Sequence, residues 1–157
     1  MLGRLGVIQK PGAINGCKAH CQGRQGLPAA LGAAFANPDR KIICFVGDGG
    51  LGMSLAELEV ISRYRLNVTV VVFNDATLTL IQLKQTDTQR DSRNVGYALS
   101  DFAAIGAAMG LKAFAANSVG ELQDALSAVT GVPSLIDARV DAADFRDIIK
   151  TARDSGA

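Results

Sequence analysis

The sequence predicts an α/β domain, a three-layer doubly wound parallel sheet with helices on both faces. Three observations carry that prediction. Lys41–Val46 and Val68–Phe73 are continuous apolar runs without the polar alternation of a half-solvated strand, as expected for strands buried on both faces. Stretches with helical spacing separate the strand-like runs, and strands that alternate with helices pair in parallel through crossovers. Both long runs end in polar and glycine-rich turns, Gly47–Gly50 and Asn74–Thr77. Those turns lie at the edge where sheets of this kind bind ligands.

The first helix-like stretch, Leu27–Ala36, is rich in Ala and Gly, has Pro28 in its first turn and stops at Asn37-Pro38. After the strand Lys41–Val46, Ser54 is placed to cap the helix Ser54–Arg63, with Glu57 completing a capping box and Leu55, Leu58 and Ile61 forming its buried stripe. Val68–Phe73 is followed by a short apolar segment, Leu78–Leu83, and then by the charged stretch Thr86–Gly96, which reads as a surface loop or a lid. Asp101 opens the helix Phe102–Met109, which Gly110 stops. Lys112–Ala115 reads as a short strand, Ser118 caps the helix Val119–Val129, Leu135–Val140 is a strand, and Ala143–Arg153 reads as a closing amphipathic helix.

At 157 residues the chain has the length of one domain with a sizeable core. Residues 1–25 lack a clean period and read as an irregular segment ahead of a domain over 26–157. A net charge of +1 gives no electrostatic case for nucleic acid or an anionic membrane, and no apolar run has the length of a membrane span. Three cysteines, an odd count, fit a reducing compartment, so a cytoplasmic location is expected. Cys44 reads as a small core residue, and Cys17, His20 and Cys21 lack a fourth zinc ligand.

The candidate site is Gly47-Asp48-Gly49-Gly50-Leu51-Gly52, directly behind the first strand. A glycine turn feeding a helix presents backbone N–H groups to an anion. Gly47, Gly49 and Gly52 also satisfy the G-x-G-x-x-G pattern of dinucleotide sites, a weak signal alone. Against it, Asp48 sits in the turn, where a bare carboxylate repels a pyrophosphate. A divalent cation between the two reverses that repulsion. Mg²⁺ takes oxygen ligands and shares its shell with phosphates. Twenty-four residues separate Gly49 from Asn74, enough for one helix and one strand, so the Asn74 amide emerges beside Asp48 at the next strand end.

Gly47-Asp48-Gly49 followed at that spacing by Asn74 resembles the thiamine diphosphate (ThDP) signature. The flanks Gly26-Leu27-Pro28-Ala29-Ala30-Leu31-Gly32-Ala33 and Phe73-Asn74-Asp75-Ala76-Thr77-Leu78 resemble the acetolactate synthase and 2-oxo acid decarboxylase group, and the resemblance runs from about Gly26 to Val140. It implies the ThDP-binding fold, with Asp48 and Asn74 as side-chain Mg²⁺ ligands and the carbonyl of Ala76 as a third. It also implies diphosphate contacts from Gly47, Gly49 and Gly50 and from Thr77 and Leu78. The chain departs from the family where Phe73 replaces the first of two asparagines, and where Gln22–Gln25 lacks the large apolar residue that props the cofactor.

Such cofactors add to the carbonyl of a 2-oxo acid and act as electron sinks after decarboxylation. In the family a glutamate from a separate pyrimidine-binding domain activates the cofactor. Glu57, Glu59 and Glu121 fall on predicted helices as surface or capping residues, so no catalytic residue is assigned to this chain. It is expected to be the diphosphate-binding half of an active site, a fragment or a split subunit, oligomeric and inactive alone. The alternatives are a dinucleotide-binding oxidoreductase domain and a non-catalytic interaction domain of the same fold.

Overall fold

The computed structural model describes residues 25–88 and 95–141. Four strands, β1 (Ile42–Gly47), β2 (Val68–Asn74), β3 (Lys112–Ala116) and β4 (Ser134–Arg139), form one sheet in the order β1-β2-β4-β3. Every pairing is parallel. Among the described residues six α-helices connect or flank them: α1 (Gly26–Ala36), α2 (Asp48–Gly52), α3 (Leu58–Arg63), α4 (Thr79–Asp87), α5 (Phe102–Ala108) and α6 (Val119–Ala128).

The pleat divides the apolar residues between two cores. Ile42, Cys44 and Val46 of β1, Val68, Val70 and Val72 of β2, and Leu135 of β4 pack on one face with residues of α1, α3 and α5. On the other, Val71, Ile136 and Ala138 meet Ala125 and Val129 of the α6 region. Helices on both faces are what the continuous apolar strands require. Each side chain taken fully out of water, such as Leu58, Ile61 or Val70, contributes roughly 1.5–3 kcal/mol.

Helix ends follow the sequence closely in most places. Asp101 accepts the N–H of Ala104 at 2.8 Å and Ser118 accepts that of Glu121 at 3.2 Å, so each satisfies an orphan donor of its helix. Gly110, at φ +85°, turns the chain out of α5. A Cβ on Gly106 would lie 3.1 Å from Leu135 Cβ, so the absent side chain lets α5 seat closely on β4. That close seating brings the start of α5 down onto the strand ends.

One capping expectation fails. The helix expected over Ser54–Arg63 is two pieces, a 3₁₀ turn over Leu55–Glu57 and α3, and a separate short helix, α2, precedes it. Helical backbone begins at Asp48, six residues ahead of the expected cap. An acidic residue is favoured at a helix start, and Gly47, still extended, ends the strand immediately before it. By Ser54 the chain is already past that turn, and its hydroxyl donates back to the Gly50 carbonyl at 3.1 Å instead of capping. In the segment Leu78–Leu83, Leu78 stands just ahead of α4 and the rest belongs to it, and α4 runs on to Asp87 into the stretch expected as a loop. The closing helix Ala143–Arg153, the Cys17, His20 and Cys21 group, and Gln22–Arg24 lie outside the described residues.

Candidate magnesium and diphosphate site

β1 and β2 run in register from Ile42 opposite Val68 to Gly47 opposite Phe73. Asp48 and Asn74 are the next residues of the two strands' runs, Asp48 opening α2 and Asn74 ending β2, so both stand at the same carboxyl edge of the sheet. Their side chains are buried, with Asp48 5% and Asn74 2% exposed. Asp48 Oδ1 accepts the Gly49 N–H at 2.7 Å, and Oδ2 accepts the Ala76 N–H at 2.8 Å. Its carboxylate thus ties the first turn directly to the second.

The second turn is built around Asp75. Its carboxylate accepts the Thr77 N–H at 2.9 Å and, through its other oxygen, the Thr79 hydroxyl. Ala76 takes the left-handed conformation, at φ +56°. The Ala76 carbonyl accepts the N–H of Tyr97 at 3.0 Å, and the Val95 carbonyl accepts that of Leu78 at 2.7 Å. Thr77 and Gly96 form an antiparallel bridge, so residues 95–97 are strapped to the turn by main-chain bonds.

Asn74 is fixed more tightly still. Its Nδ2 donates to the Ser100 carbonyl and to Asp137 Oδ1, both at 2.9 Å. With the nitrogen committed to two acceptors, the amide orientation is settled, and Oδ1 is buried without a protein partner. A buried acceptor left unmatched costs about 1–3 kcal/mol unless something outside the chain meets it. A cation does so. Among the described residues no three His, Cys, Asp or Glu side chains gather, so a metal here relies on one carboxylate, one amide and oxygens from elsewhere. That donor set suits Mg²⁺ shared with phosphate rather than zinc.

The expected phosphate donors are less open. The N–H groups of Gly49, Thr77 and Leu78 are all engaged within the chain, by Asp48, Asp75 and Val95. The dinucleotide reading is weaker again. A Cβ added at Gly47 or Gly52 meets nothing within 4 Å, so neither glycine serves the close approach that fingerprint needs. Gly49 differs: a Cβ there would lie 2.7 Å from Leu78 Cδ2 and 3.3 Å from Tyr97 Oη.

Two residues at the site were not singled out in the sequence. Tyr97 lies over Gly49 with its hydroxyl end near the Asp48 carboxylate; partial burial first, and then that carboxylate, hold the phenol neutral, above the usual tyrosine range. Nothing in its flanks, Val95-Gly96 and Ala98, signals this. Asp137 does carry a signal, as a lone charge inside the apolar run Leu135–Ala138, and it is wholly buried.

The sequence matches the family model for the thiamine pyrophosphate enzyme, C-terminal TPP binding domain, over residues 5–138. The chain belongs to this family. The matched span begins well ahead of Gly26, so kinship with the TPP-binding domain reaches further upstream than the recognisable flanks. Acetolactate synthase isozyme 1 large subunit of Escherichia coli (strain K12) is 36% identical over 129 residues, covering 74% of this chain and 22% of its own length. The alpha-keto-acid decarboxylase of Mycobacterium ulcerans (strain Agy99) is 38% identical over 103 residues, covering 65% and 18%. The TPP-binding domain thus spans about a fifth of the length of the curated relatives it matches. In fold it is similar to the Rhodococcus jostii RHA1 thiamine diphosphate-dependent 4-hydroxybenzoylformate decarboxylase, with a TM-score of 0.68 and 24% identity, over 74% of this chain and 23% of that one.

Proposed function

We propose that this chain is the Mg²⁺- and diphosphate-binding part of a ThDP-dependent enzyme acting on 2-oxo acids, an acetolactate synthase-like carboligase or a decarboxylase. The observation that carries the reading is the buried, partnerless Oδ1 of Asn74 at the strand edge it shares with the Asp48 carboxylate. Asp48 and Asn74 are the side chains that hold the cation, with the Ala76 carbonyl as the third protein ligand. Because the N–H groups of Gly49, Thr77 and Leu78 have partners within the chain, the diphosphate is held chiefly through the metal. Gly47 and Gly50 complete the turn around it.

The cofactor, when bound, supplies the electron sink for bond breaking next to a carbonyl. This chain's residues bind and orient it. The activating glutamate comes from a pyrimidine-binding domain elsewhere in the assembly. Glu59 and Glu121 have structural work here: Glu59 pairs with Arg63 at 2.7 Å, and Glu121 accepts the Asn117 N–H at 2.7 Å. The span of about a fifth of its relatives agrees with a part that works with other domains. We place the assembly in the cytoplasm as an oligomer; among the described residues no helix is long and apolar enough to cross a membrane.

Calorimetric titration with ThDP, with and without Mg²⁺, tests the reading. Binding that requires the metal and is lost in Asp48→Ala supports it. NADH binding without metal, and no response to ThDP, would replace it with a dinucleotide site.

A further inference from the structure

We propose that Asp137 is a positioning residue for the metal site, holding the Asn74 amide so that Oδ1, and not Nδ2, faces the cation. The inference rests on Asn74 being a Mg²⁺ ligand. The two ends of an amide are nearly alike in size, but only the oxygen binds a cation; a reversed amide turns two N–H bonds toward it. Something must therefore choose between the orientations. β2 and β4 pair Val72 with Asp137 and Asn74 with Arg139, so Asn74 and Asp137 share one face of the sheet, one pleat apart. There Asp137 Oδ1 accepts an Asn74 Nδ2 hydrogen at 2.9 Å, and the Ser100 carbonyl accepts at 2.9 Å. Neither partner has a hydrogen to give. Turning the amide over sets its oxygen against a carboxylate and a carbonyl, so the reversed state is excluded twice.

Asp137 is itself held so that this oxygen stays available. Its Oδ2 accepts the Phe102 N–H at 3.0 Å and Arg139 Nη2 at 2.9 Å, which leaves Oδ1 to Asn74. The carboxylate is 0% exposed, in a strand otherwise apolar at Leu135, Ile136 and Ala138. For folding alone such a buried ion pair is no better than packed apolar residues and is often worse. Fixing a metal ligand is a reason to keep it.

Asp137→Asn discriminates sharply. The new amide must place its oxygen toward the two donors, Phe102 N–H and Arg139, which leaves its nitrogen facing Asn74. Asn74 must then either turn over, which sets its oxygen against the Ser100 carbonyl, or meet an N–H with its own N–H, so the amide is no longer locked with Oδ1 toward the cation. The full 157-residue chain and this variant are titrated with Mg²⁺ at fixed ThDP by calorimetry, below the unfolding transition of each. The Asn74 side-chain N–H signals are followed by ¹⁵N NMR without ligand. The expected result is a rise of about 10–100-fold in half-saturating Mg²⁺ for the variant, the size typical of losing a residue that orients a metal ligand. In the wild type the Asn74 Nδ2 hydrogens exchange slowly. A purely structural Asp137 would lower the unfolding midpoint and leave half-saturating Mg²⁺ unchanged, and that result overturns the proposal. If the variant does not fold, the wild-type signals decide: slow exchange supports the lock, and fast exchange overturns it. A wild type that ignores ThDP at every Mg²⁺ concentration instead removes the metal reading beneath it, whatever the amide signals show.

Discussion

The Asp48 carboxylate accepts the N–H of Ala76 at 2.8 Å, joining the end of the first strand to the turn after the second across 28 residues. It also accepts the neighbouring Gly49 N–H at 2.7 Å, so one buried side chain serves two backbone donors. Asp48→Ala leaves both without that acceptor. The expected loss of stability is about 1–3 kcal/mol, measured by urea unfolding, and Mg²⁺-dependent ThDP binding disappears. Chelation of Mg²⁺ with EDTA should remove ThDP binding from the wild type while leaving its unfolding midpoint without ThDP in place.

Ala76 stands at φ +56°, where a Cβ costs roughly 1–2 kcal/mol. Ala76→Gly relieves that strain and gives back part of the gain through a looser unfolded chain. The net expectation is a gain of about 0.5–1 kcal/mol, read as a higher thermal midpoint. ThDP affinity should hold, because the proposed ligand at this position is a backbone carbonyl that glycine keeps.

Gly49→Ala tests the crowding beneath Leu78 and Tyr97. A Cβ at 2.7 Å from Leu78 Cδ2 forces that side chain to shift. The end of a leucine moves readily, so a modest cost of about 1 kcal/mol is expected, together with weaker binding of ThDP. The same change at Gly52, where a Cβ meets nothing within 4 Å, should leave binding unaltered. Equal behaviour of the two variants would show that Gly49 has no special place in the site.

Partial burial and the neighbouring Asp48 carboxylate hold the Tyr97 phenol above the usual tyrosine range. Its folded-state contribution is therefore complete below the unfolded-state value, about 10, and declines as pH rises beyond it. Wild-type stability should fall with pH in that alkaline window. In Tyr97→Phe the fall should be shallower, and a pH series of urea midpoints for the two chains shows it.

Much of this was legible from residue order. Continuous apolar strands such as Val68–Phe73 imply burial on both faces, and the two core clusters carry it out. Asp101 and Ser118 announced their helices because a capping side chain acts on donors two or three residues away. Ser54 misled because the same local pattern competes with where the preceding strand ends, and that is decided by the pairing of β1 with β2. Asp48 and Asn74 were legible as a pair because strand and helix lengths fix where the next strand end emerges. Asp137 and Tyr97 reach the site through neighbours distant in sequence: Asp137 meets Asn74 63 positions away, and no local pattern encodes such a meeting.

The strap between residues 76–78 and 95–97 is made of main-chain bonds, Ala76 with Tyr97, Leu78 with Val95, and Thr77 bridged to Gly96. Bonds of that kind are indifferent to which side chains the residues carry. Mutational drift can therefore rewrite much of this segment without moving the turn that meets Asp48. Diversification among descendants of this chain should accumulate there, while Asp48, Asn74 and Asp137, whose side chains make the contacts themselves, stay unchanged.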